Sequence, residues 1–267
     1  MQSKRGKENV FSQRLTSEIV QGTSTIMLVS EQLQHLVAQT GENPQDEMVR
    51  QGFEALRQTA LQMARAAENW QELHTDNAMG LLSEKRVIDL AEQLENTVEN
   101  CKNCLGADKK TLEFENSISE AVYTAVDPML VDKILLNLIT NALRSADHVV
   151  VRMESAENSN ETRLIVQDDG PGLPPEIQEH LFEPDVTRYL ANSSRYGLGE
   201  GLCLVNRYCT LLGWTVAITS SKGMTQAQIT IPETQDETEN LHSSLWDIRL
   251  ETERKQQIQQ EMSALLG

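Results

Sequence analysis

The sequence predicts an α+β chain in which an antiparallel helical hairpin precedes a mixed sheet with helices on one face. Two observations carry this. Apolar residues in the first 80 positions recur at the spacing of long packed helices, on both sides of a Gly-Pro turn. From about Ser83 the texture changes to short strand-like runs that alternate with helical ones. A chain of 267 residues can build its core without a disulfide or metal staple. Forty Asp and Glu against 23 Lys and Arg leave a net charge of −17. That balance argues against a nucleic-acid backbone or an anionic membrane surface as main partner, because both are held through Lys and Arg.

The hairpin is expected over residues 1–80. Leu15, Ile19, Gly22, Ile26, Val29, Leu33 and Leu36 advance in alternating steps of four and three, a repeat of about 3.5 residues. Gly41-Glu-Asn-Pro44 then makes a turn in which Asn43 can cap a helix and Pro44 can occupy its first position. Val49, Phe53, Leu56, Ala60, Met63, Ala67, Trp70 and Leu73 repeat the seam. Two long helices with one stripe each bury both stripes best as a four-helix bundle, which predicts a homodimer. The alternative is a hairpin packed on its own downstream domain.

A second domain is expected over 84–232. Strands are predicted at 86–90, 111–116, 121–126, 148–154, 162–167, 214–219 and 226–231. Helices are predicted at Ala91 to Cys104, Asp127-Pro128 to about Ala146, Pro175 to Leu181, and Gly199 to Leu212. Residues 233–267 read as an acidic linker followed by a helix from about Leu241. Its apolar stripe breaks at Thr252 to Gln257, and it is expected to dock on its own chain, fray, or meet a partner. No apolar run reaches the ~18 residues of a membrane span, and the N-terminus lacks the apolar core of a secretory signal. A cytoplasmic location with Cys101, Cys104, Cys203 and Cys209 reduced is the expectation. Cys101-Lys-Asn-Cys104 has no second pair to complete a zinc site.

Three segments carry chemistry. Asp168-Asp-Gly170-Pro-Gly172 follows a strand, and Gly197-Leu-Gly199-Glu-Gly201 opens a helix. Glycines spaced by two let backbone approach a ligand, and a glycine loop at a helix start offers amide donors to phosphate. Neither segment is a P-loop. Between residues 132 and 144, Asn137, Asn141 and Arg144 recur at i, i+4 and i+7 on an otherwise apolar helix. Such a buried polar face is costly unless something polar lies against it, and a nucleotide with Mg²⁺ satisfies it.

In this order the segments resemble the ATP-binding domain of sensor histidine kinases, within the wider gyrase, chaperone and MutL-like ATPase superfamily. The helix is similar to the family's N box, 168–172 and 197–202 to its two glycine boxes, and Leu181-Phe-Glu-Pro184 to its F box. The resemblance implies an α/β sandwich of the histidine-kinase type, behind a dimerisation and phosphotransfer hairpin. It implies ATP and Mg²⁺ as cofactors. Asn141 takes the role of Mg²⁺ ligand, Asn137 lines the same pocket, and Arg144 reaches phosphate. Asp168 accepts from the adenine amino group, Gly170 and Gly172 shape the adenine edge, and Gly197, Gly199 and Gly201 let the lid wrap the triphosphate. Arg188 and Arg195 are the lid cations. A response regulator or a partner kinase is the implied partner in two-component signalling.

The hairpin departs from that pattern. Aligning the seam puts Ser17 at the phosphoacceptor histidine position, two residues off the seam and facing outward, with Glu18 as its acidic neighbour and Gly22 where a helix-kinking Pro belongs. A serine hydroxyl needs a dedicated base, and phosphoserine is too stable to pass phosphate on readily. No histidine has the right context; His35, the one histidine on the first helix, reads as a surface residue. Asp185 replaces an F-box Phe, and Glu200 brings negative charge to the second glycine box. The expected function is therefore a degenerate histidine kinase that acts as regulator or scaffold. The alternatives are an active kinase working in trans or on a serine, and an interaction module with a vestigial nucleotide site.

Overall fold

The computed structural model describes residues 19–31, 33, 44–74, 85–105, 110–156, 161–183, 200–221, 223–232 and 246–266. The chain divides into two compact units, 1–76 with 263–267, and 77–262.

In the first unit, residues 19–31 form helix α1 and Pro44–His74 form α2. Pro44 is the first residue of α2, where its missing N–H costs nothing. Arg57 of α2 is hydrogen-bonded to Glu54, and Glu31 of α1 adds to the field that raises its guanidinium pKa further. The stripes differ from the single seam expected on each helix. The buried positions are mostly small: Thr23 and Ser30 on α1, and Ala60, Leu61, Ala64 and Ala67 on α2. Ile26 and Val29 are exposed, as are Val49, Leu56, Met63 and Trp70, each of these four seven residues from the next. Periodicity finds a helical face but cannot separate two adjacent stripes on one helix, which is why Ala60 and Met63 fell in one seam.

The second unit runs β1 (Arg86–Asp89), α3 (Leu90–Leu105), β2 (Thr111–Asn116), β3 (Tyr123–Val126), α4 (Pro128–Ser145), β4 (His148–Ser155) and β5 (Glu161–Asp168). It continues through α5 (Pro175–Gln178), α6 (Glu200–Leu212), β6 (Thr215–Ser221), β7 (Met224–Pro232) and all but the last turn of α7 (Trp246–Leu266). Five strands form one mixed sheet in the order β2-β4-β5-β7-β6, parallel at β2–β4 and antiparallel elsewhere. The first predicted strand and the one ending at Val126 do not join it. They pair with each other as a separate two-stranded ribbon, Arg86 opposite Val126. Along β5 the helix-facing positions are Leu164, Val166 and Asp168, opposite Met153, Val151 and Val149 of β4, all of them buried.

Helix α4 is buried on nearly its whole circumference. Ile134, Leu135, Ile139 and Leu143 are fully buried. Asp127 caps its start, its carboxylate accepting from Met129 N–H at 2.9 Å, a contribution of about 1 kcal/mol. Lys110 donates to the Leu143 carbonyl at its other end. The predicted α6 begins at Glu200 in the structure, and Pro175 to Leu181 shortens to one helical turn followed by turns.

Candidate functional site

The site grows from one face of α4. Asn137 is buried, with its Nδ2 donating to the Lys133 carbonyl at 2.8 Å; Asn141, one turn on, is half-buried. Helix α6 packs against this face through its first turn. A methyl group built at Gly201 would lie 2.9 Å from Asn137 Oδ1 and 3.4 Å from Asn141 Nδ2, so glycine is what lets the two helices close on these amides. Further down the same pair, the Lys133 ammonium sits 5.8 Å from the Tyr208 ring centre, a cation–π distance.

The C-terminal end of α4 meets the first glycine segment. A Cβ at Gly170 would lie 2.7 Å from Asp168 Oδ1 and 3.3 Å from Ser145 Oγ. Gly172 adopts φ +82°, where a Cβ would also run into the Ser221 carbonyl. Asp168 is 9% exposed, and its Oδ1 accepts from Gly170 N–H at 2.9 Å. Burial pushes its carboxyl above the ordinary range, against the lowering effect of the Gly170 and Thr225 amides. Its exposed neighbour Asp169 moves the other way. The N–H groups of His148 and Asp147 donate to it at 3.0 and 3.1 Å and hold it below the ordinary range. Two adjacent carboxylates thus divide the work: Asp169 ties β4 to the end of β5, and Asp168 stays an under-solvated acceptor facing the helices.

Around them Ile177 and Leu181 form a small apolar cluster with Leu173, Leu202 and Ile218, which joins the first glycine segment to α6. Leu173 N–H donates to Ser220 Oγ at 2.7 Å, tying that segment to the β6–β7 hairpin. Ser145, Ser220 and Ser221 are contacts that sequence reasoning missed. They are ordinary serines, and only the sheet order brings β6 beside residue 172. Glu200, expected to add charge near this site, is buried at 9% exposure in the first turn of α6. Arg144 is exposed on α4. Ser17, Glu18, Arg188, Arg195, Gly197, Gly199 and Asp185 lie outside the described residues.

Residues 126–235 match the family model described as histidine kinase-, DNA gyrase B- and HSP90-like ATPase. This region is a domain of that ATPase family. Among curated relatives, the chain is 40% identical over 114 residues to the sensor protein RstB of Escherichia coli K12. That match covers 42% of this chain and 26% of RstB, so the chain spans about a quarter of that relative's length. Two solved structures share the fold. The Acinetobacter baumannii histidine kinase AdeS matches with TM-score 0.53 at 20% identity, over 84% of this chain and 98% of that one. Full-length ShkA in complex with AMPPNP matches with TM-score 0.58 at 20% identity, over 85% and 46%. No helix among the described residues is long and apolar enough to cross a membrane.

Proposed function

We propose that this chain binds Mg·ATP in its histidine kinase-type domain and acts in two-component signalling as a dimeric regulator or scaffold, without the usual self-phosphorylation. The close approach of Gly201 to Asn137 and Asn141 on α4 is the observation that carries the nucleotide reading. It leaves two amide side chains on a face where only a Cβ-less neighbour fits, with the acceptor Asp168 past the end of the same helix. In this reading Asp168 receives the adenine amino group, with Gly170 and Gly172 at the adenine edge. Gly197, Gly199 and Gly201 cover the triphosphate, and Arg144, Arg188 and Arg195 offset its charge. Among the described residues no cluster of three His, Cys, Asp or Glu could hold a metal by itself. In this reading Mg²⁺ is taken up by Asn141 together with phosphate oxygens, since Mg²⁺ favours one or two protein oxygens plus phosphate. When bound it would neutralise the phosphates beside Glu200, in a chain of net charge −17.

Gly201→Ala is expected to weaken nucleotide binding by about tenfold, because its methyl group must displace an Asn137 amide already pinned to Lys133. Calorimetric titration with Mg·AMPPNP reads this; unchanged affinity counts against the site.

Ser17 in place of the phosphoacceptor histidine supports the degenerate reading. Incubation with γ-labelled ATP and Mg²⁺, followed by acid treatment, tests it. The expected result is binding without label. Acid-labile label would mean phosphohistidine and a working autokinase, whereas acid-stable label would favour a serine kinase. Absence of nucleotide binding would leave the interaction module. A response regulator or a partner kinase is the proposed partner and the cytoplasm the proposed location. The hairpin is proposed as the homodimer contact, on the strength of the heptad-spaced exposed stripe of α2.

A further inference from the structure

The C-terminal helix is latched onto the helix that carries the two asparagines. Asp132 of α4 is 1% exposed, and its carboxylate receives Gln93 Nε2 at 2.7 Å and lies 2.7 Å from Thr97 Oγ1, both on α3. The remaining partner comes from α7. Arg254 Nε stands 2.5 Å from Asp132 Oδ2, while its Nη2 reaches Oδ1 at 3.2 Å and Thr97 Oγ1 at 3.3 Å. Its side chain is only 14% exposed. One and two turns on, Ile258 and Met262 are buried at 1% and 0% exposure. The break in the apolar stripe at Thr252 to Gln257 is therefore where the latch sits. Cys101 of α3 is fully buried, and the charges of Asp132 and Glu261 act on it.

The latch is one short step from the nucleotide face. The residue after Asp132 is Lys133, whose carbonyl accepts Asn137 Nδ2, and Asn137 in turn meets Gly201. Guanidinium, carboxylate, one turn of α4 and the asparagine pair form a contiguous set. Breaking a buried pair by removing its cation leaves a carboxylate that must be rehydrated or protonated. Rehydration requires α4 or α7 to move.

We propose that Arg254 is a positioning residue for the nucleotide site: α7, docked through Arg254 on Asp132, holds α4 in the arrangement that binds Mg·ATP. The inference rests on the nucleotide reading above. By linkage, nucleotide must then strengthen the docking of α7 by the same factor that docking strengthens nucleotide binding.

The test uses the full chain and Mg·AMPPNP, with calorimetric affinity and site-resolved alkylation of Cys101 as readouts. Cys209, fully buried on α6, reports global opening. R254M is expected to weaken Mg·AMPPNP about tenfold and to speed alkylation of Cys101 about tenfold relative to Cys209. The double variant D132N/R254M removes the stranded charge and is expected to recover both values to within about threefold. In the unaltered chain, Mg·AMPPNP is expected to slow Cys101 alkylation, and hydrogen exchange over 246–262, by at least about threefold beyond any change at Cys209. Should R254M fail to fold, this last measurement decides alone, and equal slowing at both cysteines overturns the proposal. Unchanged affinity in R254M with faster Cys101 alkylation overturns it too, and leaves the nucleotide site intact. No binding by the unaltered chain overturns the nucleotide reading and this proposal together.

Discussion

Asp168→Asn is expected to reduce Mg·AMPPNP affinity by a hundredfold or more, while the melting temperature at neutral pH stays level or rises. The two effects come from one cause. Burial raises the Asp168 carboxyl, so the folded chain holds an ionised group it would rather have neutral. For an acid raised on folding, stability is lowest above its folded pKa. It returns as pH falls through that value, because the folded state takes up its proton first. Asn abolishes the charge, keeps an oxygen for Gly170 N–H, and should flatten this part of the pH profile. It also presents an amide donor where, in the proposed reading, the adenine amino group would donate. Losing a charge-assisted bond costs about 1.5–3 kcal/mol, and the opposed donors add to that. Asp169 provides the opposite slope. Lowered by the His148 and Asp147 amides, it stabilises above the carboxylate's ordinary value, and that contribution is lost as pH falls through its folded value. Calorimetric titration and thermal melts at about pH 5 and pH 8 separate the effects. Wild-type affinity in the variant, or a melting point many degrees lower, would contradict the assignment of Asp168.

The second large effect is on self-association. Leu56→Glu combined with Met63→Glu is expected to convert the proposed dimer to a monomer at micromolar concentration. Leu56 and Met63 are 46% and 50% exposed in the single chain, so a glutamate at either position strands no buried charge there. In a symmetric bundle each substitution counts twice, and burying one such side chain is worth about 1.5–3 kcal/mol. Several powers of ten in the dimer constant follow. Light scattering after size exclusion reads the mass, and an unchanged mass would move the interface elsewhere. The melting of the sheet-containing unit serves as control and should not change.

Much of this was legible in the chain itself. The α2 start at Pro44, the Asp127–Pro128 entry to α4, and the placement of Asp168-Asp-Gly170 at a strand end follow from rules that act within a few residues. So does the i, i+4 relation of Asn137 and Asn141. The boundaries missed by a residue or two, such as Glu161–Asp168 for the strand read as 162–167, are ends where pairing with a neighbour outlasts local propensity. The hairpin stripe was half legible. A period of about 3.5 marks a helix with an apolar face, but Thr23 and Ser30 are polar by type and yet buried.

What the sequence by itself determined is the inventory: a helical hairpin, a mixed sheet with helices, and two glycine segments flanking an asparagine-bearing helix. Local geometry sets these, since capping, periodicity and glycine conformations need only near neighbours. The tertiary structure alone decided which groups meet. It put Gly201 on Asn137, Ser145 beside Gly170, and Arg254 on Asp132, across 64, 25 and 122 positions of chain. Buried polar groups are costly unless paired, and their partners come from whichever element the sheet order and helix packing bring within about 3 Å. An arginine in a gap of an apolar stripe is indistinguishable from a solvated one until the carboxylate it neutralises is found.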